Sequence, residues 1–402
     1  MVDICFYFQV HQPFRLKQFS VFDVGQKKDY FDEEKNREIM KKVAMKCYIP
    51  TNLLMLELLK NHPEFKISYS ISGVALEQFE LYAPEVLESF KELVKTGRVE
   101  ILSETYYHSL AYIYSKEEFL AQVKQHREKV EKIFGVTPTV FRNTELIYNN
   151  EIAKFVEDMG YEAIICEGLD HALGWRSPNF VYKPHTTEKI KLLMKNYRLS
   201  DDIAFRFSNK GWAEWPLTTK KFCNWADAVN GSGEIINLFM DYETFGEHQW
   251  EDTGIFEFLR ELPNEFLKNP DNGFVTPSEA ARKFKVHDVV DIHNLSSWAD
   301  IERDLTAWLG NKMQQSSIKE LYMIEDLVKK SDDKKILDDF RKLTTSDHFY
   351  YMCTKWFSDG DVHKYFSPYE SPYDSFIAFM NVLNDMIIRL KEKNLTIHVD
   401  NS

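Results

Sequence analysis

Six short apolar runs, rich in β-branched and aromatic residues, alternate with helix-period segments over the first two-thirds of the chain. They are Ile4 to Val10, Lys66 to Ser72, Val99 to Ser103, Val140 to Asn143, Ala163 to Cys166 and Ile235 to Met240. This alternation predicts parallel strands joined by crossover helices, an α/β architecture. The helical stretches carry matching punctuation. Pro84 opens a helix running to Thr96 and Gly97 closes it, while Lys116 to Phe134 ends at Gly135 and Asn150 to Met159 ends at Gly160.

From about residue 299 the strand-like runs vanish and helical periodicity continues to the end. In Ser371-Pro-Tyr-Asp the serine caps a helix whose first position is the proline, and Phe376, Phe379, Met380, Leu383, Ile387 and Leu390 share one face of it. Residues 170–232, with scattered Trp, Pro, Asn and Lys, read as long loop insertions with a short strand or two. The expected organisation is therefore a barrel over 1–290 and a helical domain over 291–402. No Gly/Ser linker separates the two, so they are expected to pack together.

With 402 residues, 44% of them hydrophobic, the chain can bury a large core. Its 63 acidic and 50 basic residues give a net charge of −13, which disfavours nucleic acid or an anionic membrane as partner and suits a neutral substrate. The start, Met1-Val-Asp-Ile-Cys, has no basic region of the signal-peptide kind, and no apolar run reaches the roughly 20 residues of a membrane span. The five cysteines are dispersed and odd in number, without CxxC pairs. Together these features predict a reduced, cytoplasmic protein.

Four polar stretches follow strand ends: His11-Gln-Pro13, Glu100 to His108, Arg142-Asn-Thr-Glu145, and Asp241 to Trp250. If the strands close into a barrel, the four converge on one rim, where such folds build active sites. A lone acid at a strand end is usually a solvated surface group; recurrence after successive strands argues for a site. Glu100 and Glu104 share a strand face, and Asp241 pairs with Glu243 if the chain stays extended. Paired carboxylates suit hydrolysis of a glycosidic bond, one attacking the sugar while the other protonates the leaving oxygen. The pair favoured here is Glu145 and Asp241. An aspartate acting as acid needs its pKa raised by burial or by a nearby negative charge, which Phe245, Trp250 and Glu145 can supply. Tyr106 and Tyr107 are either sugar-stacking faces or core.

The histidines contain no HxxxH or HExxH pair, and GxGxxG and GxxxxGK[ST] are absent, so neither a metal site nor a nucleotide cofactor is expected. A scattered metal site stays open as an alternative.

In order along the chain, His11-Gln-Pro13, Gly97-Arg-Val-Glu-Ile101, Phe141-Arg-Asn-Thr-Glu145 and Asp241-Tyr-Glu-Thr-Phe-Gly246 resemble the signature regions of glycoside hydrolase family 57. Ser297 to Trp308 (Ser-Trp-Ala-Asp-Ile-Glu-Arg-Asp-Leu-Thr-Ala-Trp) resembles a fifth region of its α-amylase-type members. The resemblance implies an incomplete (β/α)7 TIM-like barrel followed by a C-terminal α-helical domain. It also implies a retaining, double-displacement enzyme acting on α-1,4-glucans or maltooligosaccharides. Glu145 then falls on the nucleophile position and Asp241 on the general acid/base. His11, Glu100 and His248 fall on sugar-contacting positions, and Trp298, Asp300 and Trp308 lie where the helical domain reaches over the cleft. Glu104, His108, Glu243 and Trp250 complete the expected substrate contacts. Two positions depart from the pattern: Gln9 stands where many members have a His, and His248 where transferase members often have a Trp. Three other readings remain: a 4-α-glucanotransferase, a glucan-binding homologue without useful turnover, and a metal-dependent deacetylase on a similar barrel.

Overall fold

All eight residues of β1 (Asp3–Val10) are buried, as expected for a parallel strand covered on both faces. The computed structural model describes residues 1–26, 28–355 and 367–396. Parallel to β1 lie β2 (Ile67–Ile71) on one side and, beyond it, β3 (Val99–Ile101). β4 (Val140–Arg142) pairs in parallel with β5 (Ala163–Cys166); after β6 (Val181–Pro184), β7 (Lys191–Met194) pairs in parallel with β5. β8 (Ile235–Asp241) pairs in parallel with the other side of β1. Two narrow seams close the ring. The parallel bridge Ser103–Phe141 joins β3 to β4, and the Asn196 N–H donates to the Asn237 carbonyl at 2.9 Å to join β7 to β8.

The result is a seven-stranded parallel barrel of β1, β2, β3, β4, β5, β7 and β8, with β6 antiparallel to β7 outside the ring. Side-chain alternation explains its layering. Along β1, Ile4, Phe6, Phe8 and Val10 pack outward against helices, whereas Cys5 and Tyr7 join Val140, Ala163, Ile165, Leu193, Ile235 and Phe239 in the barrel interior. The same parity carries Gln9 and His11 toward the C-terminal mouth. On β8, Asp241 arrives there two residues after the inward-facing Phe239.

The expected helix ends are present: Lys116–Phe134 closes on Gly135 in the left-handed conformation, and Ser371 Oγ accepts the Asp374 N–H at the start of Pro372–Glu392. From Thr306 on, the regular elements among the described residues are all helices, including Lys312–Met323, Lys334–Leu343 and Ser346–Tyr350. Phe340, Phe349, Phe379 and Leu383 share one apolar cluster with Phe119, Ile152 and Val156 of the barrel's outer helices. The expected helical stretch to residue 402 includes 356–366 and 397–402, which lie outside the described residues.

Residues 170–232 hold the two short strands expected there, β6 and β7, together with the helices Tyr197–Asp201 and Thr219–Asp227, but one of those strands is no insertion. β7 is a wall of the barrel. Its four residues, Lys-Leu-Leu-Met, lack the β-branched signature that marked the other strands.

Candidate active site

Every barrel strand delivers polar side chains at its C-terminal end. His11 follows β1, Ser72 follows β2, Glu104 and His108 follow β3, Arg142 ends β4 with Glu145 three residues on, Glu167 follows β5, Lys195 follows β7, and Asp241 ends β8. Register sets the first contact: Gln9 of β1 lies opposite Asp241 of β8. From Gln9 a chain of polar contacts runs across the mouth. Gln9 Nε2 donates to Glu104 Oε1 at 3.2 Å, His108 Nδ1 lies 2.9 Å from Glu104 Oε2, and His108 Nε2 lies 3.2 Å from Glu145 Oε1.

Glu145 is held by more than His108. Trp298 Nε1 donates to its Oε2 at 2.7 Å, and Ser346 Oγ donates to its Oε1 at 3.2 Å. Its backbone has φ 57° and ψ 27°, a left-handed conformation that a non-glycine residue keeps only where the surroundings impose it. The Trp298 ring lies beneath two cations, with the Arg142 guanidinium 5.2 Å and the Lys195 ammonium 5.6 Å from its centroid. Lys195 is itself paired with Glu167 at 3.4 Å and Asp201 at 3.0 Å.

The carboxyls at the mouth are driven to different protonation states. Burial raises Asp241, the charge of Glu145 raises it further, and Arg142, His108 and Lys195 oppose this only in part, leaving it at about 6. Burial also works to raise Glu145, but the hydrogen bond and charge of His108, with Arg142, outweigh it and hold Glu145 below the usual glutamate value. Glu104, equally buried, is brought down to about 2 by the His108 hydrogen bond and the charges of His108 and Arg142. Glu243 goes the other way, to about 8, through burial and the Asp241 charge; the hydroxyl of Tyr48 donates to it.

The loop from Asp241 is tightly packed. Gly246 has φ 107°, and a Cβ there would lie 1.9 Å from the Lys46 carbonyl, so only glycine fits. His248 is half-buried, and desolvation of its ring lowers it to about 4, hence neutral near pH 7. Trp250 is 54% exposed, with the Lys46 ammonium 4.8 Å from its ring. Asp300, at φ 56°, pairs with Lys355 at 3.5 Å.

Four expectations about this set are corrected. Trp308 is only 1% exposed, packed in the helical core beside Tyr350, and offers no face to a sugar. Glu100 accepts from Thr276 and from the Ser278 N–H at the start of the helix Pro277–Lys283, and it feels the charge of Glu162, which precedes β5. These groups lie at the N-terminal end of the barrel, away from the mouth. Glu104 does not share a strand face with Glu100, since β3 ends at Ile101. Glu104 and His108, nearly inaccessible, face protein groups and not open cleft. Tyr106 and Tyr107 lie in the apolar core.

Sequence reasoning missed Arg142, Glu167, Lys195, Ser346 and Asp347. Asp347 Oδ2 lies 2.9 Å from His11 Nε2, bringing the helical region into contact with the first strand's motif. Arg142 stood inside a quoted motif, and Glu167 directly follows the expected strand Ala163 to Cys166, a signal that could have found it; Lys195, Ser346 and Asp347 carry no such signal. Among the described residues, no group of three or more His, Cys, Asp or Glu side chains is arranged to hold a metal ion, and no helix is long and apolar enough to cross a membrane.

The fold and this carboxylate-lined mouth define the chain as a glycoside hydrolase on a parallel β/α barrel. It belongs to glycosyl hydrolase family 57, whose profile matches residues 5–293. It is 45% identical to a putative alpha-amylase of Methanocaldococcus jannaschii over 405 residues, covering 97% of this chain and 85% of that protein. Among solved structures, a family 57 branching enzyme from Pyrococcus horikoshii superposes with TM-score 0.70 at 14% identity, over 99% of this chain and 92% of that one. The 4-alpha-glucanotransferase of Thermococcus litoralis superposes with TM-score 0.64 at 18% identity, over 87% of this chain and 56% of that one. At those identities the two superpositions speak for the fold.

Proposed function

We propose that this protein hydrolyses α-1,4-glucosidic bonds of starch- or glycogen-type glucans and maltooligosaccharides by double displacement. Glu145 is the nucleophile. Its carboxylate bonds to the anomeric carbon as the glycosidic C–O bond breaks, and Asp241 gives its proton to the departing oxygen. Asp241 then takes a proton from water, which attacks the same carbon and frees Glu145.

The observation that carries this reading is the opposite displacement of the two acids: Asp241 rises to about 6 while Glu145 falls below its usual value. Between those values one carboxyl is protonated and the other ionised, which is what a nucleophile and a general acid require at the same moment. The kinship with an amylase-named relative supports α-glucan as the substrate class.

Incubation with maltoheptaose, beside Glu145→Gln and Asp241→Asn, tests the proposal. Shorter oligosaccharides alone, with both variants reduced by at least about a thousandfold, is the expected result. Longer oligosaccharides would instead mean that a sugar intercepts the intermediate, the 4-α-glucanotransferase reaction. Unchanged activity in Glu145→Gln would remove Glu145 from the nucleophile role.

A further inference from the structure

Glu104, His108 and Arg142 form a buried group at the mouth to which the reaction scheme gives no task. Both ring nitrogens of His108 face carboxylate oxygens, Nδ1 at 2.9 Å from Glu104 and Nε2 at 3.2 Å from Glu145. Each carboxylate already has other donors. Gln9 Nε2 serves Glu104, while Trp298 Nε1 and Ser346 Oγ serve Glu145. These donors favour the ionised form of both carboxyls, and with both ionised each nitrogen of His108 faces an acceptor and carries a hydrogen. Arg142 completes the group, with Nη1 3.8 Å from Glu104 Oε2 and 3.5 Å from His108 Nδ1. Two negative and two positive charges then balance, the condition for burying them at all.

The ring stacked on His108 fits this distribution. His11 lies 4.0 Å away, centroid to centroid, at 17°, and a second cation there would be repelled. Its own contacts accommodate a neutral ring. With Ser72 Oγ, which also accepts the Ala75 N–H, donating its proton to Nδ1 at 2.7 Å, Nε2–H is left to donate to Asp347 at 2.9 Å. Burial and the His108 charge lower His11 accordingly. The backbone locks the arrangement. His108 has φ 51°, and its carbonyl accepts the N–H of Ser346, whose hydroxyl reaches Glu145.

We propose that His108 is a positioning residue: an imidazolium clamped between Glu104 and Glu145 that keeps Glu145 ionised and fixes its carboxylate for attack, without itself touching substrate. The groups facing it are Glu104, Glu145, Arg142 and His11, with the charges of Asp241 and Asp347 acting from β8 and the helical region. Against the cost of burial, the hydrogen bonds to Glu104 and Glu145 bring His108 to about 9, in keeping with this role. The proposal rests on Glu145 being the nucleophile.

The pH dependence of kcat/KM on maltoheptaose, in the unmodified protein and in His108→Gln, reads the effect. The acid limb, which reports ionisation of Glu145, moves up by about 1–3 pH units, and kcat falls while KM stays within about twofold. A limb that does not move overturns the proposal. Nitrogen-15 NMR of the unmodified protein near neutral pH gives a readout that needs neither turnover nor a folded variant. A His108 ring protonated on both nitrogens supports the clamp, and a neutral single tautomer overturns it. Glu145→Gln separates the two failures: if it is inactive while His108→Gln keeps its limb, the clamp falls and the nucleophile stands.

Discussion

The indole N–H of Trp298 donates to Glu145 Oε2 at 2.7 Å across 153 positions of sequence, with Arg142 and Lys195 over the indole ring. The contact orients a carboxylate whose backbone is already in a left-handed conformation. Trp298→Phe keeps a ring beside the cations but deletes the donor. A hydrogen bond to a charged group is worth about 1.5–3 kcal/mol, so kcat is expected to fall roughly 10- to 150-fold with KM little changed, as steady-state kinetics will report.

The pH profile has a predicted shape. Productive enzyme needs Glu145 ionised, which holds above a pKa lowered from the glutamate value, and Asp241 protonated, which holds below about 6. Activity is therefore a bell on the acid side of neutrality whose alkaline limb lies near 6. Initial rates across buffers of constant ionic strength measure both limbs.

Glu243 lies at about 8 in the folded protein, well above its usual value. A carboxyl with a raised folded pKa binds more protons folded than unfolded. Its contribution to stability therefore declines as pH rises from the ordinary glutamate pKa through about 8. Glu243→Gln imitates the protonated form and removes that loss. Melting temperatures are expected to match the parent near pH 4 and to exceed it by several degrees near pH 8.

Trp308 tests the corrected placement. Because it is 1% exposed within the helical core, Trp308→Ala should destabilise by about 3–5 kcal/mol in denaturant unfolding. Any folded fraction should bind maltoheptaose with unchanged KM. A raised KM at unchanged stability would return Trp308 to the cleft.

The difference between Trp298 and Trp308 shows where sequence reading stopped. Both belong to one quoted stretch, yet one loop points the first at Glu145 while the short helix Thr306–Leu309 turns the second into the core. No periodicity over so short a span separates them. Strands with β-branched or aromatic patterning, such as β1 and β8, were legible to within a residue or two; β7 was not, because Lys191-Leu-Leu-Met194 suits a helix equally well. The motif residues Glu145 and Asp241 announced themselves by following strands. Ser346 and Asp347 did not, since they reach the mouth through tertiary packing, from a short helix that follows no strand. Glu100 illustrates the reverse error: it stands in a quoted signature, yet its carboxyl accepts from Ser278 at the far end of the barrel.

The central claim, attack by Glu145 followed by water on the same face, predicts the configuration of the first product. Proton NMR of the anomeric region in the first minutes of maltoheptaose cleavage, before mutarotation, reads it directly. Double displacement predicts that the α-anomer appears first and the β-anomer grows in later. A β-anomer formed first would mean a single displacement by water and would contradict the account.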